Sequence, residues 1–343
     1  MAEKKTKAIS LMSGGLDSTL ATKIIMDMGI EVLAVNFTSP FCTCTSHHKK
    51  EMGCKNEALK ISQELGVKIR LVPKGKEYLQ IIRNPKFGYG SALNPCIDCR
   101  IFMFRKTKEI MQSEGASFII TGEVLGQRPM SQRRDTILKI EREAGLEGLI
   151  IRPLSAKHFE PTIFENEGIV DREKLLSIEG RSRNIQIELA AKYNINDYPC
   201  PAGGCLLTDK RFAEKLKDYF EHNSTDEDYI RQMELLKIGR HFRLLDGTKI
   251  IIGRNSYENE RLILLNRDEN YIVESDFPGP VALIIGELRD ENITFTTTAL
   301  GHFNKKTPEN PTYTISKGDF KKIIVADKTY AGDITKYQLG IDR

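Results

Sequence analysis

The sequence predicts an α/β protein: a domain built on a parallel sheet, followed by a smaller β-rich α+β domain. Three observations point there. Apolar strand-like runs alternate with amphipathic helical stretches from residue 8 to about residue 200. Near residue 209 that pattern changes, and Asp246-Gly247 then sits between two strand-like runs, a strong hairpin signal. Between the first strand and the first helix lies a turn rich in small residues, SGGLDS at residues 13–18.

Taken in order, residues 8–12 (AISLM) form a short apolar strand. Leu20, Ala21, Ile24, Ile25 and Met28 share one helical face, which Gly29 ends. IEVLAVNF reads as a buried strand. A helix carrying Ala58, Leu59, Ile61 and Leu65 stops at Gly66, and VKIRLV is the next strand. A helix near 100–114 leads into ASFIITGE, and GLIIRPL supplies one more strand. Helical periodicity over 210–221 and 226–237 marks a connector, which divides the chain into 1–208, 209–238 and 239–343. After the hairpin FRLLDGTKIIIG, the stretches PVALIIGEL, ITFTTTAL and FKKIIVAD read as further β structure.

Apolar residues make up 40% of the 343 and charged residues 29%, which argues against wholesale disorder. No apolar run is long enough to span a bilayer, and MAEKKTK enters the first strand without a signal core. A cytoplasmic protein with no membrane partner is the expectation. A net charge of +4 does not announce a nucleic-acid binder, so local clusters such as SQRRD and GRSRN must carry any such role. The seven cysteines are Cys42, Cys44, Cys54, Cys96, Cys99, Cys200 and Cys205. Clustered cysteines in a cytosolic chain point to metal or sulfur chemistry before disulfides.

In SGGLDS the glycines permit positive φ, so successive N–H groups can face inward as an anion nest at the mouth of a helix. Ser13 and Ser18 offer hydroxyls. Asp17 suits a phosphate only with a cation between them, which suggests magnesium–nucleotide. The bland alternative is a strand–helix turn capped by Asp17 or Ser18. The sequence is neither a Walker A loop nor GxGxxG. It matches S-G-G-x-D-S, and the first domain resembles the PP-loop ATP pyrophosphatases, an adenine-nucleotide α-hydrolase (HUP-like) fold. That resemblance implies cleavage of ATP between the α and β phosphates, so that AMP activates a carbonyl oxygen. It implies phosphate and magnesium binding by Ser13, Gly14, Gly15, Asp17 and Ser18, with Asp17 catalytic. Val35, Asn36 and Phe37 would border the adenine.

NPCIDCRIFMF sets Cys96 and Cys99 at a helix start, where the N-terminus favours thiolate. YPCPAGGCLLTD places Cys200 and Cys205 around a glycine turn. The pattern resembles the tRNA 2-thiouridylases, in which Cys99 and Cys205 would be the paired sulfur-handling cysteines and Cys96 the extra one of cluster-containing members. TGEVLGQRPMSQ (121–132) is similar to a loop of the tRNA 4-thiouridine synthases, and Gly122 within it is a candidate nucleotide contact. The resemblance to RNA-thiolating PP-loop proteins spans residues 7–210. Three readings of the cysteines stand open. Cys96, Cys99 and Cys205 could hold a [4Fe-4S] cluster with one open iron. Cys205 or Cys99 could carry a persulfide. With Cys200 as fourth ligand, the set could instead bind structural zinc.

PFCTCTSHHKKEMGC brings Cys42, Cys44, His47, His48 and Cys54 together after the second strand. It reads as a second metal site, a thiol relay, or an insertion shaping the adenine pocket. Arg181 and Arg183 at a helix start and Arg128 in the 121–132 stretch are candidate RNA contacts. Residues 241–286, with D-G-x-x-I-x-x-G-R-N-x-x-E-N, resemble the RNA-binding domain of NFACT proteins. The alternative for this tail is a capping or homodimerisation module. The expected function is ATP-dependent tRNA thiolation, fed by a sulfide or persulfide donor. An amidating PP-loop synthetase and a zinc-stabilised RNA-binding protein are the alternatives.

Overall fold

The computed structural model describes residues 6–42, 54–195, 198, 204–326 and 330–341. The chain divides into two units, Met1–Thr208 and Asp209–Arg343.

The first unit contains β1 (Lys7–Leu11), α1 (Leu16–Met26), β2 (Glu31–Thr38), α2 (Cys54–Glu64), β3 (Lys68–Pro73), α3 (Gly75–Arg83), α4 (Cys96–Ser113), β4 (Phe118–Thr121), α5 (Arg134–Ala144), β5 (Ile150–Ile151), α6 (Ile163–Asn166) and α7 (Asn184–Lys192). Its five strands run parallel in the order β3-β2-β1-β4-β5. The register lines up Leu33, Ile9, Ile119 and Ile150 across the sheet. Ile9, for example, pairs with Leu33 on one side and with Ile119 on the other. That row packs with Ile101, Phe104 and Ile140 of α4 and α5. Ala8, Ala34, Phe118 and Ile120 face the other way and bury Leu20 and Ile24 of α1. With both faces covered, the strands can be apolar throughout, and for that reason they were legible as short apolar runs. The chain turns from helix back to strand at Gly29, Gly66 and Gly115, all on the rim where strands begin. Winding leaves β1 in both directions, so the carboxyl ends of β1 and its neighbours border a switch-point crevice.

The second unit contains α8 (Lys210–His222), α9 (Tyr229–Lys237), β6 (Arg240–Arg243), β7 (Lys249–Ile252), α10 (Ser256–Asn266), β8 (Tyr271–Ser275), β9 (Ala282–Ile285), α11 (Asp290–His302), β10 (Thr312–Lys317), β11 (Phe320–Val325) and β12 (Gln338–Leu339). Its strands form an antiparallel sheet in the order β11-β10-β8-β9-β7-β6-β12. The β6–β7 hairpin turns at Asp246-Gly247 as expected, with Gly247 N–H donating to the Leu244 carbonyl at 3.1 Å. Asp209 caps α8 through the Phe212 N–H at 2.7 Å. One expectation fails. ITFTTTAL is not a strand but lies within α11. Three of its threonines satisfy their hydroxyls on carbonyls one turn back, Thr296 on Asn292 at 2.7 Å, Thr294 on Asp290 at 2.9 Å and Thr297 on Ile293 at 3.1 Å. Ile293, Phe295, Ala299 and Leu300 then pack on the sheet core around Phe242, Ile284 and Tyr313. No helix among the described residues is long and apolar enough to cross a membrane.

Candidate active site

The turn after β1 is tied by its own hydroxyls. Ser18 Oγ donates to the Gly15 carbonyl at 2.8 Å and receives the Ser13 N–H at 3.2 Å. Gly14 sits at φ +82°, and a Cβ there would stand 2.8 Å from the Ala58 nitrogen at the start of α2, so no side chain is tolerated. Gly15 is the N-cap of α1 and supplies no side-chain cap, which leaves the first N–H groups of the helix for a ligand. Asp17 accepts from Gln127 Nε2 at 3.1 Å through Oδ2, while its Oδ1 is buried without a hydrogen bond. A buried carboxylate oxygen with no partner, beside an uncapped helix start, fits a divalent cation that bridges to phosphate.

β4 ends against this turn. A Cβ on Gly122 would lie 2.5 Å from the Asp17 carbonyl carbon and the Ser18 nitrogen, so residue 122 must be glycine for the two backbones to meet. Asn36, at the end of β2, donates from Nδ2 to the Met12 carbonyl at 2.8 Å, and its Oδ1 is buried and unpartnered. Val35 is buried in the core below, so only its backbone reaches the rim; its carbonyl accepts the Met12 N–H at 2.9 Å. Phe37 packs against the same core.

The thiols gather on the same rim. Cys96 and Cys99 occupy the first turn of α4, with the Cys99 N–H donating to the Pro95 carbonyl at 2.8 Å. Lys74, which follows β3, donates from Nζ to Cys99 Sγ at 3.0 Å and lies 4.5 Å from the centre of the Tyr78 ring. Tyr78 also donates its hydroxyl to Cys99. Burial pushes the Cys99 thiol up. The Lys74 ammonium, these two hydrogen bonds and Arg100 outweigh that and bring it below its ordinary value, the condition for a thiolate. Burial raises Tyr78 well above its usual range, with the Cys99 charge adding to the shift. Burial, together with the charge of Cys99, also raises Cys96, against the pull of Arg128 and Arg100. Cys205 is pushed up to about 11 by burial, and Cys99 and Cys96 contribute in the same direction. Three thiols from two distant segments are therefore in electrostatic reach of one another.

Around them stands a polar chain that sequence reasoning missed. Glu123, buried beside Gly122, accepts from Arg152 Nε and pairs with Arg100 Nε, each at 3.1 Å, and Arg152 also binds Glu141. Arg128 is exposed to solvent, yet its guanidinium is in reach of Cys96, Asp17, Glu123 and Arg100; partial desolvation and Arg100 lower its pKa. Lys74 and Tyr78 were also missed. The available signal was position: a lysine immediately after a strand of a parallel sheet stands at the crevice.

Arg181 and Arg183 follow a stretch that pairs with the 122–126 loop through the Leu125–Glu179 bridge and the Gly180 N–H to the Leu125 carbonyl at 2.7 Å. Arg181 is exposed, and Arg183 is the N-cap of α7 with its Nε buried and unpartnered. Cys44, His47, His48 and Cys200 lie outside the described residues, and Cys54 begins α2. Among the described residues, no three His, Cys, Asp or Glu side chains are set to hold a single metal ion.

Comparison with known proteins adds to this geometry. Residues 4–163 match the family described as thiamine biosynthesis protein (ThiI), and residues 239–338 match the NFACT protein RNA binding domain. A tRNA-specific 2-thiouridylase (MnmA) of Petrotoga mobilis is 31% identical over 261 residues, 73% of this chain and 67% of that protein. A probable tRNA sulfurtransferase of Methanosarcina mazei is 32% identical over 122 residues, 35% of this chain; the match spans only 29% of that relative's length. A solved 4-thiouridine synthetase–RNA complex with bound ATP aligns over 68% of this chain and 52% of its own, at 21% identity and a TM-score of 0.36. With its SGGLDS turn, its paired thiols and these relatives, the chain belongs to the RNA-thiolating branch of the PP-loop ATP pyrophosphatases and carries an NFACT-type RNA-binding domain at its C-terminal end.

Proposed function

We propose that the protein is an ATP-dependent tRNA thiolase. The observation that carries this reading is the meeting, on one rim of one sheet, of a phosphate-type turn with three mutually interacting thiols. Ser13, Gly14, Gly15 and Ser18 would cradle the triphosphate, and the buried, unpartnered Asn36 Oδ1 would accept from the adenine amino group. Asp17 would hold magnesium, which neutralises phosphate charge when bound. A uridine carbonyl oxygen attacks the α-phosphate and pyrophosphate leaves; sulfur then adds to the activated carbon and AMP leaves. Arg128, Arg181 and Arg183 line the approach of the RNA backbone, whose target base must be out of its stack.

Two modes of sulfur carriage are open to these thiols. The donor set of Cys96, Cys99 and Cys205 suits a [4Fe-4S] cluster, which would supply an open iron for hydrosulfide. The Lys74 hydrogen bond to Cys99, with Cys205 alongside, suits a persulfide route with a thiolate partner. Pyrophosphate release from ATP should rise severalfold with tRNA and not with small carboxylates. Nucleoside mass spectrometry of tRNA from a deletion strain should show one thionucleoside missing. A complete set of thionucleosides in that strain would overturn the proposal, and stimulation by ammonia and a carboxylate would favour an amidating synthetase. Iron and labile sulfide in anaerobically purified protein separate the two modes of carriage.

A further inference from the structure

Cys42 has no place in the scheme above, yet the fold puts it directly opposite Cys205. The two residues form an isolated antiparallel β-bridge. The hydrogen bond beside the pair runs from the Leu206 N–H to the Phe41 carbonyl at 2.8 Å, so Cys42 and Cys205 are a non-hydrogen-bonded pair. In that class the Cα atoms approach to about 4.5 Å with both side chains on one face. A disulfide spans Cα separations of roughly 4.4–6.8 Å, so the two sulfurs can bond without backbone movement. The segment is anchored. Phe41 is buried against Tyr78, ring to ring at 6.2 Å, and Tyr78 is the residue that donates to Cys99. The Cys42 N–H donates to the Ser39 carbonyl at 3.3 Å. Both thiols are half-buried and neither is in a disulfide.

We infer that Cys42 is the resolving thiol of Cys205, the two closing a cross-strand disulfide in each turnover. This rests on the persulfide reading. The terminal sulfur of a Cys205 persulfide adds to the activated uridine carbon as AMP leaves, giving a disulfide between Cys205 and the base. Cys42 thiolate attacks Cys205 Sγ. The new Cys42–Cys205 bond forms as the Cys205–sulfur bond breaks, and its electron pair leaves with the base as the thiocarbonyl. The proton given up by Cys42 ends on the ring nitrogen that lost one during adenylation. Two thiol sulfurs are oxidised to a disulfide and the sulfane sulfur is reduced to the sulfide level. A dithiol reductant then reopens the pair, and a persulfide donor reloads Cys205.

The full-length protein in a Cys44→Ser, Cys200→Ser background is treated with diamide, digested under acid and mapped by mass spectrometry. The dominant cross-link should join Cys42 to Cys205 and should persist after Cys99→Ser. A Cys99–Cys205 link in its place, or no link to Cys42, overturns the inference. In a single turnover with persulfide-loaded protein, ATP, magnesium and tRNA, the Cys42–Cys205 disulfide should appear in step with thiolated tRNA. Cys42→Ser should instead accumulate a tRNA–protein adduct that dithiothreitol releases. Product formed while Cys42 remains fully alkylatable refutes the inference and spares the thiolase reading. The diamide link without any thiolated product leaves the Cys42–Cys205 pairing standing but overturns the thiolase reading, and the resolving role with it.

Discussion

Lys74 and Tyr78 stand four residues apart, at the start of α3, and both reach the sulfur of Cys99. Replacing Lys74 by methionine keeps most of the side-chain volume and removes the charge and the donor. The Cys99 pKa should then rise, because the pull that offsets its burial is gone. Each unit of rise lowers the thiolate fraction at neutral pH about tenfold. Peptide-resolved iodoacetamide labelling across pH 6–9 checks this. The wild-type Cys99 profile should reach half-maximum below that of an ordinary thiol, and that of Lys74→Met should lie above the wild type. Unchanged profiles would mean that Lys74 does not set the state of the thiol. At this scale the sequence showed what is local and hid what is tertiary. Cys96 and Cys99 stand out through spacing on one helical turn, and the glycines of SGGLDS through composition. Lys74 meets Cys99 only because β3 and α4 converge. Cys42 meets Cys205 only through a bridge between segments far apart in the chain.

Among elements, α8 is tied to the hairpin by Asp218. Its carboxylate, almost inaccessible, accepts from Arg243 Nε at 2.7 Å and Nη2 at 2.8 Å and from Lys249 Nζ at 2.7 Å. Burial alone would raise its pKa, but Arg243 and Lys249 hold it below the usual carboxylate value. The stability it contributes is therefore present above the unfolded pKa, about 3.9, and is lost as pH falls through the lower folded value. Asp218→Ala leaves two cations facing each other, Lys249 among them buried, and should cost about 3–5 kcal/mol in urea unfolding at neutral pH. The mutant's midpoint should also fall less than the wild type's between pH 5 and 3. A loss under about 0.5 kcal/mol would place the pair with surface bridges. The hairpin that receives Asp218 was legible because Asp-Gly turns need no tertiary help. α11 was not: threonine and isoleucine favour strands, and only burial of Ile293, Phe295 and Leu300 against the sheet, with the hydroxyls of Thr294, Thr296 and Thr297 satisfied on the turn before, makes the helix.

As a whole molecule the chain carries two sets of cores, one in each unit. Calorimetry should resolve two transitions. ATP with magnesium at 100 times its dissociation constant should stabilise the first unit by about 2.7 kcal/mol and leave the other transition in place. A single transition, or an equal shift of both, would contradict this. The parallel sheet was readable from the alternation of apolar runs; its strand order was not, because it depends on which strands pair in the folded sheet.

The order β3-β2-β1-β4-β5 also divides the first unit into a working edge and an idle one. Ser13, Lys74 and Gly122 follow their strands on the former, and Asn36 lies toward that end of β2. Gly29, Gly66 and Gly115 sit on the latter, with open space where a side chain would project. A fluorophore, a surface tether or a grafted loop attached there lies a strand's length from the SGGLDS turn and from Cys96 and Cys99, a handle on the face away from the candidate site.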